Sequence, residues 1–180
     1  MESGELLARA ERAYEIGRLR WALQIGWIVL ALVGVSFVCV GVSAISAATG
    51  ALLLATTTAM RWRGRTFSAA VRSGLLAGLI PFTLLLVLKS GSGVFCALGG
   101  CMEHCIRYCG IGGLTAGLLL AVRARSHEDH LVGFLVASGV VAALTGILGC
   151  FVGGLTGMVW MIAGELLATV PVFAVQRARR

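Results

Sequence analysis

The sequence predicts an all-α fold: a polytopic membrane helix bundle of about six transmembrane helices, with both termini cytoplasmic. Three observations carry this reading. Hydrophobic residues make up 58% of the 180 positions and charged residues only 13%, with a mean hydropathy of +0.94, well outside the range of soluble globular domains. The apolar runs are long and lack the apolar/polar alternation of barrel strands, so helices are the form that satisfies their backbone in hydrocarbon. Basic residues, finally, collect in every second connection between the runs.

Six runs approach or exceed the length that crosses ~30 Å of hydrocarbon. They are Trp21 to Ser43, Ala44 to Met60, Ser73 to Leu88, Tyr108 to Val122, Leu131 to Gly149 and Val152 to Val175. The third and fourth are short. The fourth can start near Cys101, because nothing between Met102 and Cys109 breaks a helix, although Glu103, His104 and Arg107 keep its first turns in the headgroups. Pro81 and Pro171 add local kinks.

Residues 1–20 read as a cytoplasmic amphipathic helix, with Ser3 as N-cap and a Glu5 to Arg9 pair at i,i+4. Leu6, Ala10, Ala13, Tyr14 and Gly17 form one modest stripe, suited to a membrane surface or a partner helix. The plainer alternative is a solvated extension of the first span. Residues 21–175 then form the six-helix transmembrane bundle, and residues 176–180 a basic cytoplasmic tail.

Orientation follows from the bias of Lys and Arg toward the cytoplasm. One side receives Arg9, Arg12, Arg18 and Arg20, then Arg61, Arg63, Arg65 and Arg72, then Arg123 and Arg125, and finally Arg177, Arg179 and Arg180. That is thirteen of the 15 basic residues. Only Lys89 and Arg107 fall on the other side. Trp21 and Trp62 mark the cytoplasmic interface, and Phe95, Tyr108 and Phe151 the outer one.

The same accounting excludes direct nucleic-acid binding as the meaning of the +7 net charge. The basic residues are spread over four short segments beside helix ends, where they retain helices and meet anionic lipid. The lipid bilayer is the first partner, and a cytoplasmic regulatory protein or a second copy of the chain the next. The first 20 residues do not read as a secretory signal, since four Glu balance four Arg and the following apolar run exceeds a signal core, although Val42-Ser43-Ala44 imitates a cleavage site. No segment outside the membrane is large enough to be a domain. One Lys against fourteen Arg, and no Asn, look like high-GC bacterial codon usage, which by association favours a bacterial inner (cytoplasmic) membrane as the expected location.

All six cysteines map to the outer side. Cys39 ends the first span, Cys96, Cys101, Cys105 and Cys109 occupy the third outer-facing region, and Cys150 stands at the corner between the last two spans. Three chemistries suit them. As packing residues, Cys101, Cys105, Cys109, Gly113 and Gly117 recur every four residues in one ridge, as do Gly146, Cys150 and Gly154, then Gly149, Gly153 and Gly157, with Cys39 followed by Ser43 and Ala47; such ridges bring membrane helices together. As disulfides, neighbouring thiols outside a bacterial inner membrane tend to oxidise. Candidate bridges are Cys96 to Cys101, or Cys105 or Cys109 to Cys39 or Cys150, and the favoured set joins Cys96 to the Cys101, Cys105, Cys109 ridge. As ligands, Cys101, His104, Cys105 and Cys109, with Met102 between them, form a soft set for zinc or copper(I); no resident cofactor is otherwise expected. His127-Glu128-Asp129-His130 lacks the HExxH pattern and reads as a solvated turn.

Glu165 falls mid-span in the sixth helix, with no basic residue at its depth. An intramembrane acid is by default functional, or protonated and hydrogen-bonded inside the bundle. Thr83 and Ser138 are the candidate partners.

From Ser73 to Val175 the chain loosely resembles the six-span bacterial membrane anti-sigma factors, the group that includes negative regulators of sigma F. The resemblance lies in an Arg-rich cytoplasmic loop, a cysteine-bearing fourth span, and a fifth span ending in Leu148-Gly149-Cys150 before a Gly-rich sixth. Cys150 stands alone where that family carries a His-Cys-Pro-like corner. The resemblance implies a regulator that holds a cytoplasmic partner. The sequence reading is therefore a non-enzymatic sensor or regulator with an outer-face cysteine cluster. The alternatives are a membrane thiol-disulfide oxidoreductase, for which the usual Cys-x-x-Cys pair is missing, a soft-metal carrier, or a structural membrane subunit.

Overall fold

The computed structural model describes residues 2–91, 101–126, 130–150 and 154–178. Among these, six α-helices follow one another: α1 (Glu2–Val40), α2 (Ala44–Arg63), α3 (Arg65–Gly91), α4 (Cys101–Ala124), α5 (Leu131–Cys150) and α6 (Gly154–Ala178). Each predicted span falls on one of these helices. Four contain stretches long and apolar enough to cross a membrane: Phe67–Val87, Ile106–Ala124, Leu131–Cys150 and Gly154–Val172. The protein is thus a helical membrane protein. In α1 the apolar stretch is shorter, Leu23–Cys39, and α2 is diluted by Thr56, Thr57, Thr58 and two arginines.

The amino-terminal segment is not a separate helix. It runs without a break into the first apolar stretch, because no Pro or turn sequence interrupts Glu2 to Val40, and 39 residues of helix extend ~58 Å. Ser3 accordingly lies inside the first turn rather than at an N-cap. The break comes at Gly41, whose φ of 97° is a conformation that Gly adopts without a Cβ penalty. Ser43 then caps α2: its Oγ accepts from the Ser46 N–H, and Ser46 Oγ accepts from the Ser43 N–H, closing a capping box.

The Arg-rich connection expected over residues 61–72 is helical at both sides. Only Gly64, with φ 142°, separates α2 from α3, since Thr66 to Arg72 contains nothing that stops a helix. Three expected ridges turn out to span two helices each. Cys39, Ser43 and Ala47 belong to two helices, as do Gly146, Cys150 and Gly154, and Gly149 and Gly157; Gly153 and Phe151 lie outside the described residues.

Two tight seams organise the bundle. In the first, Gly113 and Gly117 of α4 press on the α6 backbone: a Cβ on Gly117 would stand 2.6 Å from the Glu165 carbonyl oxygen, and one on Gly113 would overlap the Met161 carbonyl. From the other side, a Cβ on Gly164 would lie 2.5 Å from the Gly110 carbonyl. The second seam joins α3 to α5, where a Cβ on Gly74 would come within 2.5 Å of the Ser138 carbonyl, and one on Gly78 within 2.8 Å of the Ala142 carbonyl. Small residues at such crossings let backbones approach where no hydrophobic effect drives association. A buried cluster that includes Val29, Leu53, Val71, Phe82, Val141 and Leu148 ties α1 and α2 to the α3–α5 seam. Large apolar side chains cover the outside, Trp27, Leu167 and Val87 among the most exposed; on a membrane protein this is the lipid-facing surface.

Candidate functional site

The helix ends divide the described chemistry between two rims. Gly64, Arg61, Arg63 and Arg72, with Arg123 and Arg125, mark one rim. Arg61 is buried there, and burial, followed by the neighbouring Arg72 guanidinium, lowers its pKa from the ordinary value. The carboxyl end of α5 and the amino-terminal turns of α4 and α6 make the opposite rim, and it is here that sulfur collects.

Cys109 and Cys150 are both fully buried at this rim, and their Sγ atoms are 3.1 Å apart. Cys150 Sγ is also 3.6 Å from Met161 Sδ. Two glycines leave room for the three sulfurs. A Cβ on Gly157 would stand 3.3 Å from Cys109 Sγ, and one on Gly146 would stand 2.5 Å from Met161 Sδ. Leu85 closes the same cluster from α3. The arrangement arises because the Cys109, Gly113, Gly117 ridge faces α6, as the four-residue spacing suggested, and because α5 ends where that seam begins.

The expected bridge between Cys96 and the α4 ridge falls outside the described residues, which do not include Cys96. The backbone of Cys101 and Cys105 lies in the first turns of α4, at the same rim, and their side chains and that of His104 are also outside. What is described is that Cys109 meets Cys150 and not the exposed Cys39. None of the three is in a disulfide. Among the described residues no three His, Cys, Asp or Glu side chains gather as a metal site; Met161 is the third sulfur beside the Cys109–Cys150 pair. Sequence reasoning passed over Met161, because a Met in an apolar span looks like filler. Its signal was positional: Gly157, Met161 and Glu165 continue at i,i+4 along the α6 face that meets α4.

Glu165 lies on that helix and is buried. Neither expected partner reaches it. Thr83 donates to the Leu79 and Ile80 carbonyls of its own helix, and Ser138 to those of Phe134 and Leu135; in a bundle, a hydroxyl that can bond back to its own helix does so. The Glu165 carboxyl faces Gly139 of α5 instead, with Oε1 3.2 Å from where a Gly139 Cβ would be.

The fold and rim define a helical membrane protein with a buried sulfur cluster. Compared with known proteins, the chain matches no protein-family model, no curated protein and no solved structure.

Proposed function

We propose that the protein is a six-span bacterial inner-membrane regulator, both termini cytoplasmic, in which Cys109 and Cys150 form a redox switch. The observation that carries this is the 3.1 Å separation of the two thiols. Closing it by ~1 Å makes a disulfide, whose bond is ~2.05 Å long. In that step both S–H bonds break, one S–S bond forms, and two electrons and two protons pass to an oxidant. A membrane-soluble quinone balances the reaction by becoming the hydroquinone, and its apolar body approaches through the lipid. The bond would tie α4 to the end of α5 and hence change the α4–α6 seam, which ends at the basic rim where a cytoplasmic partner is held. The partial resemblance to membrane anti-sigma factors supports such a partner. The test is to trap thiols with acid and alkylator in native membranes before and after quinone treatment. Cys109 and Cys150 should be alkylated before treatment and joined to each other after it; thiols that stay alkylated under oxidation defeat the switch.

A second reading rests on Met161 Sδ, 3.6 Å from Cys150 Sγ. Two thiolates and a thioether make a donor set suited to copper(I). Under that reading purified protein titrated with copper(I) under reducing conditions retains one equivalent, and Met161→Leu lowers the retention.

A further inference from the structure

A cleft of about 390 Å³ lies between α5 and α6 on the lipid-facing side, with Glu165 in its lining. The rest of the lining is Val, Leu, Ile, Ala and Gly, apart from Thr169. Thr169 does not serve the carboxyl, because its hydroxyl donates to the Glu165 and Leu166 main-chain carbonyls at 3.0 and 3.3 Å. Glu165 is 6% exposed, and among the described residues no hydrogen bond or ion pair reaches its carboxyl. No Lys, Arg or His lines the cleft. Gly139 keeps the floor open: a Cβ there would press on the Glu165 Oε1 at 3.2 Å.

The chemistry of this cleft selects its occupant. Its volume falls in the range of small-molecule sites, which pair apolar walls with a few placed polar groups. A carboxylate in a low-dielectric wall attracts a positive charge far more strongly than it would in water. A lipid acyl chain fits the walls and leaves the acid without a counter-charge. A second copy of this chain has no Lys or Arg at mid-span depth to offer, since Arg72, Arg107 and Arg123, which fall within the apolar stretches, stand within five residues of their ends. A small organic cation with an apolar body satisfies both features and reaches the cleft from the membrane.

We propose that the α5–α6 cleft is a binding site for a lipophilic organic ammonium ion, held by the Glu165 carboxylate with Gly139 providing the space. The test compares benzyltrimethylammonium with its uncharged carbon isostere, neopentylbenzene, by titration calorimetry on the full chain in phosphatidylcholine nanodiscs. The cation is expected to saturate at one per chain and to bind at least tenfold more tightly than the isostere. Glu165→Gln should weaken the cation at least tenfold and leave the isostere unchanged, and Gly139→Val should block both. Equal affinities for cation and isostere in the unaltered protein, or full cation binding by E165Q, overturns the inference. The comparison in the unaltered protein needs no substitution and decides the matter even if E165Q does not assemble.

Discussion

Cys109 and Cys150 touch through their sulfurs at 3.1 Å although 41 residues separate them. The contact is a consequence of helix packing. Gly113 and Gly117 draw α4 onto the α6 backbone, and Gly157, one turn before Met161, leaves a gap at the rim that the last residue of α5 fills. The thiols are thus held by two seams at once, and small changes in the seam should be read out by the pair.

Gly157→Ala tests that coupling. The added methyl meets Cys109 Sγ at 3.3 Å, while the helix gains up to about 1 kcal/mol of propensity, so stability should stay within about 1 kcal/mol of the parent. Oxidative joining of Cys109 to Cys150 should slow several-fold, measured by timed alkylation and mass spectrometry. An unchanged rate means that the pair is not positioned by α6.

The α4–α6 seam itself should be intolerant of a single methyl. A Cβ on Gly117 would lie 2.6 Å from a main-chain oxygen and 2.8 Å from the Ala168 side chain, and backbone cannot yield as a flexible side chain does. Gly117→Ala is expected to cost about 1–3 kcal/mol through overpacking, seen as a lower midpoint of thermal unfolding in detergent. Gly133→Ala, where nothing lies within 4 Å, should be neutral or slightly stabilising. Equal effects at the two positions would show that helix propensity, not close approach, governs these glycines.

Much of this arrangement was legible in the residues. Hydropathy placed a helix on each predicted span, and the division read between Ser43 and Ala44 falls at the N-cap of α2, though the first span was carried past Gly41, where α1 has already ended. The four-residue spacing of Cys109, Gly113 and Gly117 identified a contact ridge. It could not say which helix that ridge meets, because a spacing fixes a face and not the neighbour. Ridges written from α1 into α2 and from α5 into α6 failed for a related reason: a helical period has no meaning from one helix to the next. Met161 was hidden by its ordinary composition. Glu165 was conspicuous, but its expected hydroxyl partners bond their own helices, a local competition that depth along the membrane does not reveal.

Ser36 supplies a third prediction. Its hydroxyl donates to the Leu148 carbonyl at 3.0 Å, in a buried position. Leu148 lies in the last turn of α5, where carbonyls lack intrahelical donors, so Ser36 supplies the donor its neighbour's own helix cannot. Ser36→Ala leaves that carbonyl without this donor and should cost about 1–2 kcal/mol. Thermal unfolding of S36A should show the loss. A midpoint equal to the parent's would mean that water or lipid headgroups serve the carbonyl instead.

The last prediction concerns how α1 and α2 lie in the membrane. Arg61, Arg63 and Arg65 gather within five residues around the Gly64 break, and Arg123, Arg125 and Arg177 fall on the same side in the sequence reading. Reporter fusions after Gly64, Ser126 and Arg180 should therefore be cytoplasmic, and a fusion after Gly93 external. An external carboxyl terminus or a cytoplasmic Gly93 sinks this orientation. These four sites do not separate six spans from four, because α1 and α2 cross as a pair or not at all and leave the parity unchanged. A fusion after Val42, in the break between α1 and α2, does separate them. It should be external, since Leu23–Cys39 is a 17-residue apolar stretch of ~25 Å, and the bilayer can thin locally to meet a span a few ångströms short. A cytoplasmic reporter at Val42, with the other four as expected, would instead leave α3 to α6 as the membrane-crossing unit and lay the α1–α2 hairpin on the cytoplasmic face.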